Sequence, residues 1–194
     1  MLVQTTPPAT DPLTLEDVKA HLKVEGTEED GLISDLIAAA VQKIDGRDGV
    51  LGACLITQSW EATFDRFHSE IVLPLPPCQQ VDSITYLDRS GTQQTLDSND
   101  YRVTGLKTLG GARITPAASK SWPSTIALPD AVTVAFTAGF GDDPADIPEP
   151  VRAAMRLHIG HLYAHREGVV VGSITTEMPY GLEDLLRTYR VWRF

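Results

Sequence analysis

One stretch of this chain constrains its fold more than any other: residues 132–167, VTVAFTAGFGDDPADIPEPVRAAMRLHIGHLYAHRE, where an alternating strand runs through an acidic Gly/Pro joint into a helix. Val132, Val134 and Phe136 recur at period two and so share one face of a strand. Gly139, Gly141, Pro144, Pro148 and Pro150 supply turn chemistry, and from about Val151 the apolar period lengthens to that of a helix. Helical patterns also precede the β-rich region. The fold class expected is therefore α+β: a helical core of two N-terminal helices plus a late helix, with an inserted small antiparallel β subdomain and a C-terminal helix or tail.

The elements divide the chain into five parts. Residues 1–12, with Pro7, Pro8 and Pro12, read as a flexible extended arm that orders only against something else. Residues 13–53 hold a helix pair. Thr14 is a good N-cap for the first, whose stripe is Leu15, Val18 and Leu22. The second is expected to begin at Thr27, with Glu28, Glu29 and Asp30 where the helix dipole favours negative charge; its stripe is Ile33, Leu36, Ile37, Ala40, Val41 and Ile44, closed by Gly46.

Residues 54–140 form the β subdomain, with six or seven short strands in a sandwich or barrel. They include Trp60–Phe64, Ile71–Leu75 (ended by Pro74, Pro76 and Pro77), a hairpin turning at Arg89 to Gly91, Tyr101–Val103, Ala112–Thr115 and Val132–Phe136. Residues 141–167 supply the core helix, burying Val151, Ala154, Met155, His158 and Leu162 with Ile159 flanking. Residues 168–194 follow as a loop, whose apolar run Val169–Val171 needs a cover, and a short amphipathic C-terminal segment.

Composition narrows the function. Sixteen basic against twenty-six acidic residues give a net charge of −10, which opposes grip along a phosphate backbone. Residues 1–53 carry ten acids against Lys19, Lys23, Lys43 and Arg47, whereas residues 187–194 carry Arg187, Arg190 and Arg193 and no acid. That asymmetry suits head-to-tail contact or a basic tail on an acidic partner, and equally a solvated helix face with a frayed basic end. Cys54 and Cys78 are two small buried or half-buried thiols rather than a disulfide framework. MLVQTTPPATDP lacks the layout of a signal peptide and no apolar run reaches membrane-spanning length, so assembly in the cytoplasm is expected, with no membrane partner.

Each candidate for chemistry lacks a member. His158, His161 and His165 sit at helical spacing where two imidazoles could bind zinc, but the residues between His161 and His165 are Leu162, Tyr163 and Ala164, without the glutamate of H-E-x-x-H. Asp142, Asp143, Asp146 and Glu149 lack EF-hand spacing and read as helix capping among prolines. Gly105–Gly111 holds a lysine among glycines but no P-loop pattern. No G-x-S-x-G occurs, and neither cysteine has a histidine close by in sequence. No catalytic residue, metal or cofactor is expected. The alternatives are a small metal-dependent hydrolase using the histidine helix, or a nucleic-acid binding module with Trp122 beside Lys120 and an aromatic, basic tail.

Three segments in order, Leu13 to Asp45, Ile71 to Val103 and the 132–167 string, resemble the head-tail connector (adaptor, head-completion) proteins of long-tailed phages and gene transfer agents. The resemblance implies a virion structural protein at the neck, assembling as a twelvefold ring beneath the portal protein. It would meet a tail-side connector or stopper, and DNA would pass through its lumen without specific binding. Acidic charge suits a channel through which DNA must slide. The expected portal-docking element is the C-terminal segment, through Leu185, Leu186, Arg187, Tyr189, Arg190, Trp192, Arg193 and Phe194, because Tyr, Trp and Arg dominate interface hot spots.

Overall fold

The structure is a computed structural model and describes residues 1–165 and 180–191. Among these residues eight strands and four α-helices occur: β1 (Leu2–Thr6), α1 (Leu15–Leu22), α2 (Asp30–Ile44), β2 (Gln58–Phe64), β3 (Ile71–Val72), β4 (Cys78–Leu87), β5 (Gln93–Thr95), β6 (Tyr101–Thr104), β7 (Arg113–Pro116), β8 (Val132–Ala138), α3 (Glu149–Ala164) and α4 (Tyr180–Arg187). The α+β class is as expected, and the strands form two antiparallel sheets, of order β1-β2-β8-β4-β5 and β3-β7-β6.

The central strand of the larger sheet is the one legible from its period. Along β8, Val132, Val134, Phe136 and Ala138 are all fully buried, while Thr133, Ala135 and Thr137 between them are half-buried. Register carries the alternation outward: Val134 lies opposite Ala62 on one side and Ile84 on the other. This face packs with Ile71 and Ile114 of the smaller sheet and with Leu73, Leu75 and Ala112 beside its strands, a sandwich core. Burying one such branched side chain is worth about 1.5–3 kcal/mol.

A second core lies among the helices. Val18 of α1, Ile33, Ile37, Ala40 and Ile44 of α2, and Val151, Ala154, Met155 and Ile159 of α3 are buried together. Thr14 caps α1 by accepting the N–H of Asp17 at 3.1 Å. Lys23 ends it in a left-handed conformation. Gly46, with φ +75°, turns the chain out of α2.

The cores are joined by residues 51–56, all buried. Leu51, Ala53, Leu55 and Ile56 belong to the helical core, and Cys54 to the sandwich core. Backbone bonds hold this seam from both sides: Cys54 N–H donates to Pro76 C=O, and Phe140 N–H donates to Leu55 C=O, each at 2.9 Å. The carboxylate of Asp45, at the end of α2, accepts the Leu55 N–H at 2.7 Å and the Gln58 amide at 3.1 Å. Gln58, only 2% exposed, accepts in turn from Gln4 at 2.6 Å and from the Trp60 indole at 3.2 Å. Helix, seam, β2 and β1 thus share one polar chain.

Several expectations are corrected. Residues 2–6 are not a free arm: β1 pairs antiparallel with β2, Leu2 opposite Ala62 and Gln4 opposite Trp60. The β part therefore borrows a strand from before the helix pair and is not a simple insertion over 54–140. Strand structure after Ile71 lasts two residues, because Pro74, Pro76 and Pro77 cannot donate to a ladder. Helix α2 begins at Asp30, three residues later than expected, since Thr27 to Glu29 form a turn. On α3, Ile159 is fully buried and His158 and Leu162 are half-buried, so the stripe is rotated towards Ile159. Val169–Val171 lie outside the described residues.

Candidate assembly surfaces

The residues considered for chemistry have structural uses. Asp143 caps a single 3-10 turn, Pro144–Asp146, and exchanges bonds with Asp146 in a capping box. Glu149 pairs with Arg152 and Arg156 on α3, which hold its carboxyl below the ordinary range, Arg156 foremost. The acids thus cap, as expected, but the 3-10 turn takes the cap and α3 itself starts from Pro148.

His161 and His165 lie ring to ring at 4.5 Å, and His165 Nδ1 is 3.0 Å from the His161 carbonyl. His158 Nδ1 is buried with no hydrogen-bond partner among the described residues, and burial, reinforced by His161 and Lys43, lowers its pKa. Among the described residues no three His, Cys, Asp or Glu side chains converge as a metal site would require.

The remaining candidates are also placed. Cys54 and Cys78 are both buried, and burial with the nearby Asp82 pushes the Cys78 thiol up to about 11, far from a nucleophile. In the Gly105–Gly111 loop, the Lys107 N–H donates to Cys78 C=O at 2.7 Å, so the loop is a clip on β4. Trp122 stacks on Phe67 at 4.7 Å, and Phe67 meets Tyr86 edge-on at 5.6 Å. Lys120 pairs with Asp100 at 2.8 Å. That aromatic and basic pair is spent on the protein's own sandwich. A groove of about 850 Å³ between the end of β2 and residues 125–130 holds Asp130, which pairs with the Met1 ammonium at 3.7 Å.

Surface charge is polarised. Glu16, Asp17, Glu25, Glu28 and Asp35 are exposed on α1, α2 and their connecting turn. Asp30 is tied to Lys19 at 2.5 Å and Glu29 accepts from the Tyr163 hydroxyl. Residues 54–140 carry eight acids against six bases, so most of the acidic excess belongs to residues 1–53.

The C-terminal segment is already docked on its own chain. Leu182 and Leu186 of α4 are each 1% exposed in the helical core, and Leu185, Tyr189 and Val191 pack against it. Val191 N–H donates to the Leu51 carbonyl of the seam at 2.8 Å. Of the residues expected to dock, Leu186 is thus buried inside, Leu185 and Tyr189 are half-buried, and Arg187 and Arg190 are exposed. Trp192, Arg193 and Phe194 lie outside the described residues. The sequence signal for the inward role was the spacing of Leu182, Leu185, Leu186 and Tyr189, a helical stripe like any core stripe.

Residues 12–65, the helix pair through β2, match the family described as phage gp6-like head-tail connector protein. No curated protein matches the sequence. Among solved structures, the fold is shared with a chain from the neck of an empty gene transfer agent (GTA) particle computed with C6 symmetry, at 24% identity and a TM-score of 0.77, over 100% of this chain and 97% of that one. It is shared likewise with a chain of the virion of a native gene transfer agent particle, at 23% identity, TM-score 0.76 and the same coverage. A chain from the neck of a native GTA particle computed with C12 symmetry has 19% identity and a TM-score of 0.70, again over 100% and 97%.

Proposed function

We propose that this chain is a structural connector of a tailed phage or phage-like particle, located at the neck, where it forms a ring that joins the portal to the tail and continues the DNA channel. The single observation that carries the reading is the fold it shares, end to end, with chains of gene transfer agent necks. The match of residues 12–65 to a head-tail connector family supports it independently through the helix pair. The spent carboxylates, the stacked Trp122 and the self-paired lysines are what a non-enzymatic part would have.

The ring is twelvefold, matched to the portal, with a stopper or tail-side connector below it. The exposed acids of α1 and α2 face the lumen, where like charge keeps DNA from sticking. Portal contact is made by the exposed Arg187 and Arg190 together with Trp192, Arg193 and Phe194, while Leu185, Leu186 and Tyr189 anchor the segment to its own domain. The test is genetic: without the chain, DNA-filled heads and separate tails accumulate and joined particles are lost. Normal yields of joined particles would overturn the reading.

A further inference from the structure

The larger sheet has two open edges, at opposite ends of one strand order: β1 on one side and β5 on the other. Soluble proteins usually guard such edges with charged side chains, because a row of unpaired N–H and C=O groups invites another strand. These edges carry none: β1 reads LVQTT and β5 reads QQT, in a chain whose charged residues make up 22%. Both are outward-facing. Val3 is 42% exposed, residues 4–6 are exposed, and so are all three residues of β5.

Building on the reading of this chain as a ring subunit, we propose that β5 of one copy pairs with β1 of the next, so that the five-stranded sheets run on from subunit to subunit around the ring. Charge selects a second copy as the occupant. Two chains of net charge −10 repel across most of their surfaces, and the uncharged edges let their backbones approach without opposing like charges. Topology selects a ring. The two edges are different surfaces, and a heterologous contact between them propagates head to tail and forms a ring where the rotation between copies closes.

Strand direction agrees. Every neighbouring pair in the sheet is antiparallel, so with five strands β1 and β5 run the same way. Copies related by rotation about an axis along the strands would then join by a parallel pair, whose hydrogen bonds are evenly spaced. Thr95 lies opposite Thr85, Thr133 and Thr63 in succession, and Met1 C=O accepts from the Thr63 N–H. Val3 is therefore two residues out of level with Thr95, an offset that a closed ring takes up as strand tilt.

Cysteine pairs test this directly. Within one copy β1 and β5 are four strand spacings apart, about 19 Å, well beyond the ~7 Å Cα limit of a disulfide. Any bond between Val3→Cys and Thr95→Cys, or between Val3→Cys and Gln93→Cys for the neighbouring register, must join two copies. The native Cys54 and Cys78 are buried and provide no competing exposed thiol. The full-length double variants, assembled on portal and oxidised, should give a ladder running past the dimer on non-reducing gels, while each single variant stays monomeric. Rings visible by electron microscopy with no ladder from either pair would overturn the edge contact and leave the connector reading intact. Absence of rings altogether would overturn both, and dimers formed by Val3→Cys alone in assembled rings, which would require two β1 edges to meet, would overturn the head-to-tail pairing.

Discussion

At the residue scale, the most consequential side chain is Asp45. Burial raises its pKa, against the bonds from Leu55, Gln58 and Gly46 that favour the carboxylate. The site tolerates a desolvated acid because that acid ties α2 to the seam. Asp45→Ala should strand the Leu55 N–H and the Gln58 amide and destabilise the fold by about 1–3 kcal/mol, read from denaturant midpoints. No change would mean that the polar chain is incidental. His158 gives a second test with a defined sign. Its folded pKa is depressed, so the unfolded chain takes up the proton first as pH falls below ~6.5. The contribution of the neutral imidazole is complete above that pH and declines as pH drops towards the folded value. His158→Gln should therefore lose less stability than the parent between pH 7.5 and 5.5, by thermal midpoint; equal losses would contradict the assignment.

At the scale of elements, two terminal segments that read as adaptable in the sequence are used internally by the fold. What was legible rested on strict local chemistry: the period of Val132 to Phe136, the Thr14 cap, the stripe of α2, and the turn at Asp88, whose carboxylate accepts from Ser90 and Thr92 and is held down to about 2, with the Ser90 hydroxyl foremost. What was illegible was long-range. Nothing local in LVQTT says that β2, more than fifty residues on, will supply its partner, and the prolines that follow it masked a β-compatible run. For the candidate site, apolar residues on a short amphipathic helix look alike whether their groove belongs to the same chain or to a partner. Only the placement of Leu182 and Leu186 in the helical core separates the two.

Both termini are testable as elements. Deleting residues 2–6 should lower the thermal midpoint, because β2 then loses its outer partner and Gln58 its bond from Gln4; a truly free arm would leave it unchanged. Leu186→Ala should destabilise the chain by about 2–5 kcal/mol through lost burial and the cavity left behind. Arg187→Glu, at an exposed position, should instead leave the midpoint near that of the parent and weaken portal binding, the more so at low salt. A destabilised variant, or unchanged portal affinity, would remove Arg187 from the interface.

At the scale of the whole molecule, two cores share one seam. The helical core carries the acidic excess and the sandwich core is nearly balanced in charge, so a copy offers neighbours surfaces of different character. That division suits the proposed role, a part that lines a channel on one side and touches other copies on another. The central claim is the connector role, and the most direct measurement is electron microscopy of the purified full-length chain mixed with the portal of the same particle. The account predicts a closed ring coaxial with the portal, its α1–α2 face towards the lumen. A chain that stays monomeric and never joins the portal at any concentration would contradict it.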